Sequence, residues 1–258
     1  MLRWRALTAL ILAPVAIGAI LSGRYAVLVL VLLVVARAAY ELARALEQVP
    51  FVAAFVAGAI PVVLSIPYGV TGILAGAVFG LPWAFFWLAA SPKARTLRVL
   101  LALLLMALWV GAPMAHLELI YGLDGAGFLV LVAVVGPWIS DAGAYFAGRL
   151  FGRHPLVPSL SPKKTVEGSI GGLLATAAVV APFAHHFLDL AWPLAVVGGV
   201  AISALSQAGD LFESILKRLL DLKDLGRALP GHGGILDRVD SLLFTAPAVY
   251  YFYVILPT

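Results

Sequence analysis

The sequence predicts an all-α, polytopic integral membrane protein with about nine transmembrane helices and a cytoplasmic N-terminus. Three observations carry that prediction: an apolar composition, a succession of long apolar runs, and basic residues gathered on one side of those runs. Apolar residues make up 63% of the chain and charged residues 12%, about half the usual soluble share. A soluble domain of 258 residues could not hide so much apolar surface, so lipid must be the solvent. There is no cysteine, which excludes a disulfide framework, a thiolate nucleophile and a zinc–thiolate site. The net charge of +4 matters less than its distribution, and no nucleic-acid partner is expected.

Taken in order, the spans are 6–22, 25–40, 51–67, 69–90, 97–119, 126–147, 169–187, 191–218 and 239–256. A helix needs roughly 20 residues to cross the hydrocarbon, and about 17–25 suffice. The run 25–40 is the shortest, and the following AAYELARALE can continue it as an amphipathic helix along the interface. Pro14, Pro61, Pro113, Pro137 and Pro182 fall inside spans, where neighbouring helices can satisfy the freed backbone groups. Arg3 and Arg5 precede an apolar run as in a secretory signal, but no cleavage site and soluble domain follow, so a retained first helix is expected. We divide the chain into N-terminal transmembrane helices, 1–120, and C-terminal transmembrane helices, 121–258, with the candidate site on their cytoplasmic side.

Alternating nine spans from a cytoplasmic N-terminus puts 16 of the 17 Lys and Arg residues inside, with only Arg24 outside. The outer loops hold Glu118, Asp124 and Asp189 instead. That asymmetry fixes the orientation and leaves the C-terminus outside.

In this frame, carboxylates from three helices arrive near the inner surface. Asp141 lies about 22 Å along the sixth span and Asp210 about 28 Å along the eighth, at 1.5 Å per residue. Asp237 and Asp240 open the ninth from the cytoplasmic side. Ionisable groups at membrane depth usually face a cavity or a partner. Asp221 and Asp224, on a polar connection, read as salt-bridge partners of nearby Lys and Arg. Asp210, Ser214 and Lys217 stand at i, i+4 and i+7 on one helical face, with Glu213 in reach of Lys217. Asp237 and Asp240 share a face at i, i+3. Carboxylates converging from separate helices suit Mg²⁺, which takes one or two of them and leaves other positions to phosphate and water.

Two polar segments complete the picture. In PGHGG, 230–234, glycines allow close approach of the backbone, and N–H groups there can cradle phosphate oxygens. His232 suits either a ligand contact or a cap on the turn. In the loop 148–168, Arg149 and Arg153 read as topological anchors. The SPKKT run is different: Ser161, Lys163, Lys164 and Thr165 offer hydroxyls and ammonium groups just ahead of a helix N-terminus, which favours anions. Glu167 suits the same helix dipole.

The stretch Ser214, Lys217-Arg218, Lys223-Asp224, Pro230-Gly231-His232-Gly233-Gly234, Asp237-Arg238-Val239-Asp240 resembles the signature of the phosphatidate cytidylyltransferase (CDP-diacylglycerol synthase) family. The likeness continues upstream through Gly209–Ser214, Ser161–Gly168 and Asp141–Gly148, covering roughly the C-terminal half. It implies conversion of CTP and phosphatidic acid to CDP-diacylglycerol and pyrophosphate in phospholipid biosynthesis, at the cytoplasmic face of a bacterial-type inner membrane. It implies Mg²⁺, with room for a second cation, held by Asp210, Asp237, Asp240 and Asp141. Asp210, Asp237, Lys217 and Arg218 would then be catalytic. Ser161, Lys163, Lys164, Thr165, Ser214, Lys223, His232, Gly233, Gly234 and Arg238 would bind substrate. Membrane lipids are the surroundings, and a homodimer is left open.

No Ser–His or Cys–His pairing is visible, and none is required: the substrate's own phosphate monoester, with a second pKa of about 6, is already a nucleophile near neutrality. A transporter is the alternative from another class. It predicts charges at the midplane and a polar path to the outer face, whereas these charges crowd one side. The paired-Asp pattern of CDP-alcohol phosphatidyltransferases is absent.

Overall fold

A computed structural model of the chain describes residues 14–47, 49–91, 96–226 and 233–255. These residues are almost wholly helical and fall into two compact units. The first comprises Met1–Gly122 with Leu220–Val239, the second Leu123–Leu219 with Asp240–Thr258. This differs from a simple division near residue 120, because the connection 220–239 groups with the N-terminal helices.

In the first unit, α1 is described over 14–22 and α2 runs Arg24–Ala45. The buried face of α2 carries Val27, Val31, Val35, Ala38 and Leu42, the three-to-four-residue spacing of one helical stripe. Next comes α3, Phe51–Ala90, whose backbone leaves helical geometry at Gly69, φ 59° and ψ −138°. Only glycine takes that conformation without strain. The chain doubles back there. Trp83 Nε1 donates to the Ala53 carbonyl at 3.0 Å, and a Cβ on Gly76 would lie 2.7 Å from Pro61 Cα. These two pairings have the falling-and-rising register of an antiparallel helical hairpin, with its break beside Tyr68. A third rod, Thr96–Ile120, consists of α4 (Thr96–Leu104), a π-helical stretch (Leu105–Gly111) and α5 (Ala112–Ile120).

In the second unit, α6 (Ala126–Phe151) leads through a hairpin into α7 (Val166–Leu188), followed by α8 (Trp192–Leu219). The last helix, α9 (Leu236–Ile255), begins at the end of the first unit and continues into the second. A polar ladder ties α6, α7 and α8 together: Ser140 and Ser203 share a 2.7 Å hydrogen bond, and Gln207 Nε2 donates to Ser203 Oγ and the Ser169 carbonyl, both at 3.2 Å.

The outer surface is the reverse of a soluble protein's. Phe79, Phe85, Phe86, Leu97, Leu150 and Phe151 are exposed, while Glu41, Glu118 and Glu213 are buried. Among the described residues, six helical segments are long and apolar enough to cross a membrane by length and composition: Arg24–Ala45, Phe51–Gly76 (counted through the reversal at Gly69), Thr96–Ile120, Ala126–Phe151, Val166–Leu188 and Trp192–Leu219. Val78–Ala90 is a shorter apolar helix. Of the other expected spans, 6–22 is described over 14–22 only, as α1. Of the expected span 239–256, residues 239–255 fall on α9, whose first turns carry Asp237, Arg238 and Asp240.

One expectation needs correcting. The loop 148–168 contains a two-stranded antiparallel hairpin, β1 (Pro155–Val157) and β2 (Ser161–Thr165), with Pro155 opposite Thr165 and Val157 opposite Ser161. Three prolines read as a loop signal, yet Pro155 opens its strand, where a missing N–H is tolerated. SPKKT is therefore a strand, not an irregular run.

Candidate active site

The second unit gathers its charge on one face of α8. Ser203, Ser206, Asp210, Glu213 and Lys217 recur at intervals of three and four residues, facing inward among apolar neighbours. Asp210 is half-buried, and Glu213 and Asp240 are 1% and 8% exposed. One carboxylate oxygen from each of these three lies within 4.8 Å of the others. Gly209 makes this possible: a Cβ there would stand 2.6 Å from the Asp240 carbonyl and 3.0 Å from Ser241 Cα. Its bare backbone lets α8 and α9 approach, which brings Asp210 and Glu213 up to Asp240.

Two lysines flank the carboxylates. Lys217 Nζ donates to Glu213 Oε2 at 2.7 Å, and Lys164, from β2, forms an ion pair with Asp210. Lys164 is placed by its hairpin. Glu167 accepts from the backbone N–H of Arg153 at 3.1 Å and of His154 at 3.2 Å, and meets His154 Nδ1 at 2.6 Å. Thr165 caps α7 by accepting from Gly168 N at 3.1 Å, a contact worth about 1 kcal/mol. The hydroxyl we expected to meet substrate is thus committed to the helix end. Lys163 is exposed on the same strand, and Ser161 is half-buried.

Three negative groups against two positive ones leave an excess of negative charge in a largely buried place. All three donors are carboxylate oxygens, the ligands a hard divalent cation prefers. The residues therefore fit a hard divalent cation. Asp141, also expected as a ligand, is exposed on α6 and outside this cluster. Glu213 was expected only as a partner of Lys217; its position three residues after Asp210 was the signal for a larger role.

The first unit holds the other half of the signature. Gly233 takes φ +82°, and Gly234 N donates to Asp237 Oδ2 at 2.7 Å. Ile235 N and Leu236 N donate to the two oxygens of Glu41, at 3.0 and 3.1 Å. Of the N–H groups in 230–234 expected to cradle phosphate, that of Gly234 is occupied by the Asp237 carboxylate, and residues 230–232 lie outside the described residues. Asp237 is 9% exposed, whereas Lys223 and Arg238 are exposed. On α8, Ser214 is half-buried beside Asp210 and Arg218 is exposed. His232 lies outside the described residues.

The sequence model of the cytidylyltransferase family matches residues 3–256. The chain belongs to this family. A phosphatidate cytidylyltransferase of Mycobacterium leprae is 36% identical over 245 residues, covering 85% of this chain and 77% of the relative. One from Mycobacterium bovis is 33% identical over 240 residues, covering 85% and 78%. One from Staphylococcus haemolyticus reaches 48% over 126 residues, 48% of each chain. The resemblance read from the signature is borne out, as is the all-α membrane fold. As a cytidylyltransferase, the chain is a nucleotidyl-transferring enzyme embedded in a membrane.

Proposed function

We propose that this cytidylyltransferase makes CDP-diacylglycerol and pyrophosphate from CTP and phosphatidic acid, in a divalent-metal-dependent reaction at the cytoplasmic face of a bacterial inner membrane. The observation that carries the proposal is the convergence of Asp210, Glu213 and Asp240, flanked by Lys164 and Lys217, within one unit of a family member. A phosphate oxygen of phosphatidic acid attacks the α-phosphorus of CTP, the bond to the β-phosphate oxygen breaks, and pyrophosphate leaves with the electron pair. No protein nucleophile is needed, so the residues' work is positioning and charge neutralisation.

Asp210, Glu213 and Asp240 would hold the cation, which supplies neutralisation of the triphosphate. Asp237, in the first turn of α9, keeps the metal-ligand role that the signature implies for it. Lys164 and Lys217 then act as point charges for phosphate oxygens, and exposed Lys163 and Arg218 of the same unit draw the anionic substrates. Lys223 and Arg238 keep the substrate-binding role that the signature implies. The 16-to-1 distribution of basic residues supports a cytoplasmic placement. There, soluble CTP meets a lipid whose tails stay in the bilayer.

Purified protein in mixed micelles should release pyrophosphate only when CTP, phosphatidic acid and Mg²⁺ are all present. Release that needs no lipid, or full release in excess EDTA, would refute the proposal.

A further inference from the structure

Glu41 is 2% exposed on α2, in the half of the chain to which the signature assigns nothing. Its carboxylate reaches 194 and 195 positions along the sequence. Oε1 accepts from Ile235 N at 3.0 Å and Oε2 from Leu236 N at 3.1 Å. Arg37 Nε donates to Oε1 at 3.1 Å. Two successive N–H groups at the start of α9, otherwise without helical partners, are thereby satisfied by one side chain, and its charge opposes the positive end of that helix.

The chain is shaped to admit this carboxylate. A Cβ on Gly226 would lie 2.5 Å from Glu41 Cδ, and a Cβ on Gly234 would lie 2.7 Å from it. From the other side of the turn, Asp237 Oδ2 takes Gly234 N at 2.7 Å. One short stretch, 234–237, is therefore gripped by two carboxylates, Glu41 from outside and Asp237 from within. Packing alone would not require an acid here. A buried carboxylate is costly unless hydrogen-bonded, and this one is used to set two backbone N–H directions.

We propose that Glu41 is a positioning residue for Asp237: by fixing the 234–236 backbone it fixes the side chain that folds back onto Gly234. This rests on the reading in which Asp237 serves cytidylyl transfer. Glu41→Gln keeps the size and loses one of the two acceptors. The turn then loosens without a cavity.

The test compares purified Glu41→Gln, Glu41→Asp and Asp237→Asn. Glu41→Gln should insert and melt as wild type and lose about 10- to 100-fold in turnover, the scale seen when groups that orient metal ligands are removed. The Mg²⁺ concentration for half-maximal rate should rise, with the Michaelis constant for CTP at saturating Mg²⁺ little changed. Hydrogen exchange should quicken in peptides containing Ile235 and Leu236. Glu41→Asp, which keeps the charge, should recover part of the turnover. Should the substitutions perturb folding, Gly234→Ala presses on the same carboxylate and should give the same Mg²⁺ shift. An inactive Asp237→Asn beside a Glu41→Gln of wild-type turnover, Mg²⁺ dependence and exchange overturns the positioning role. So does a loss confined to melting temperature. A fully active Asp237→Asn instead removes the reading of Asp237 on which the role depends.

Discussion

Lys164 and Asp210, 46 positions apart, form an ion pair that joins a hairpin strand to the inward face of α8. The pair sets the hairpin against the carboxylate cluster and places an ammonium group where phosphate charge must be met. The same contact gives SPKKT a geometric role that topology alone does not require.

If that role is correct, Lys164→Ala should lower turnover about a hundredfold, the scale of removing one electrostatic donor from an active site. Lys164→Arg should not restore it, because a planar fork does not replace a compact ammonium. Membrane topology should survive, since Arg149 and Arg153 remain. Steady-state kinetics with varied CTP and phosphatidic acid, plus a sidedness assay, check both halves.

Asp210, Glu213 and Asp240 repel one another when no cation is bound. Asp210→Asn and Asp240→Asn should each reduce turnover by two or more orders of magnitude. In EDTA, both variants should nonetheless melt at or above the wild-type temperature, because one like charge is gone. Detergent-phase melting curves with and without Mg²⁺ read this directly. Variants that melt well below wild type in EDTA would mark these residues as scaffold.

Gly209 sets the approach of α8 to α9. Gly209→Val adds atoms where even a Cβ would stand 2.6 Å from the Asp240 carbonyl. Overpacking of this kind costs typically about 1–3 kcal/mol and should spread the three carboxylates. Activity should fall further than stability predicts, and raised Mg²⁺ should restore only part of it.

Reporter fusions after Thr165 and after Thr258 should give opposite sidedness, with the former cytoplasmic. Equal sidedness would mean a miscounted span.

Much of this was legible in the chain because membrane helices announce themselves by length and apolarity. Even the reversal inside Phe51–Ala90 was readable, since Pro67, Tyr68 and Gly69 interrupt the run. The hairpin was not: Pro155, Pro158 and Pro162 suggest a loop, and three- and five-residue strands show too little alternation to read. At the site, Asp210 and Asp240 stood out as charges in apolar surroundings, and Glu213 lies three residues after Asp210 on α8. Asp141 passed the same test of depth, but helix rotation leaves it exposed on α6. Glu41 gave no local sign, because the N–H groups it serves lie almost 200 positions away.

The most direct test of the central claim uses CTP labelled at the α-phosphorus, purified protein, phosphatidic acid vesicles and Mg²⁺. Wild-type protein should move the label into a lipid that carries cytidine, and Asp240→Asn, purified and inserted equally well, should not. Label that stays in water-soluble products with the wild type, or enters lipid equally with Asp240→Asn, would contradict the account.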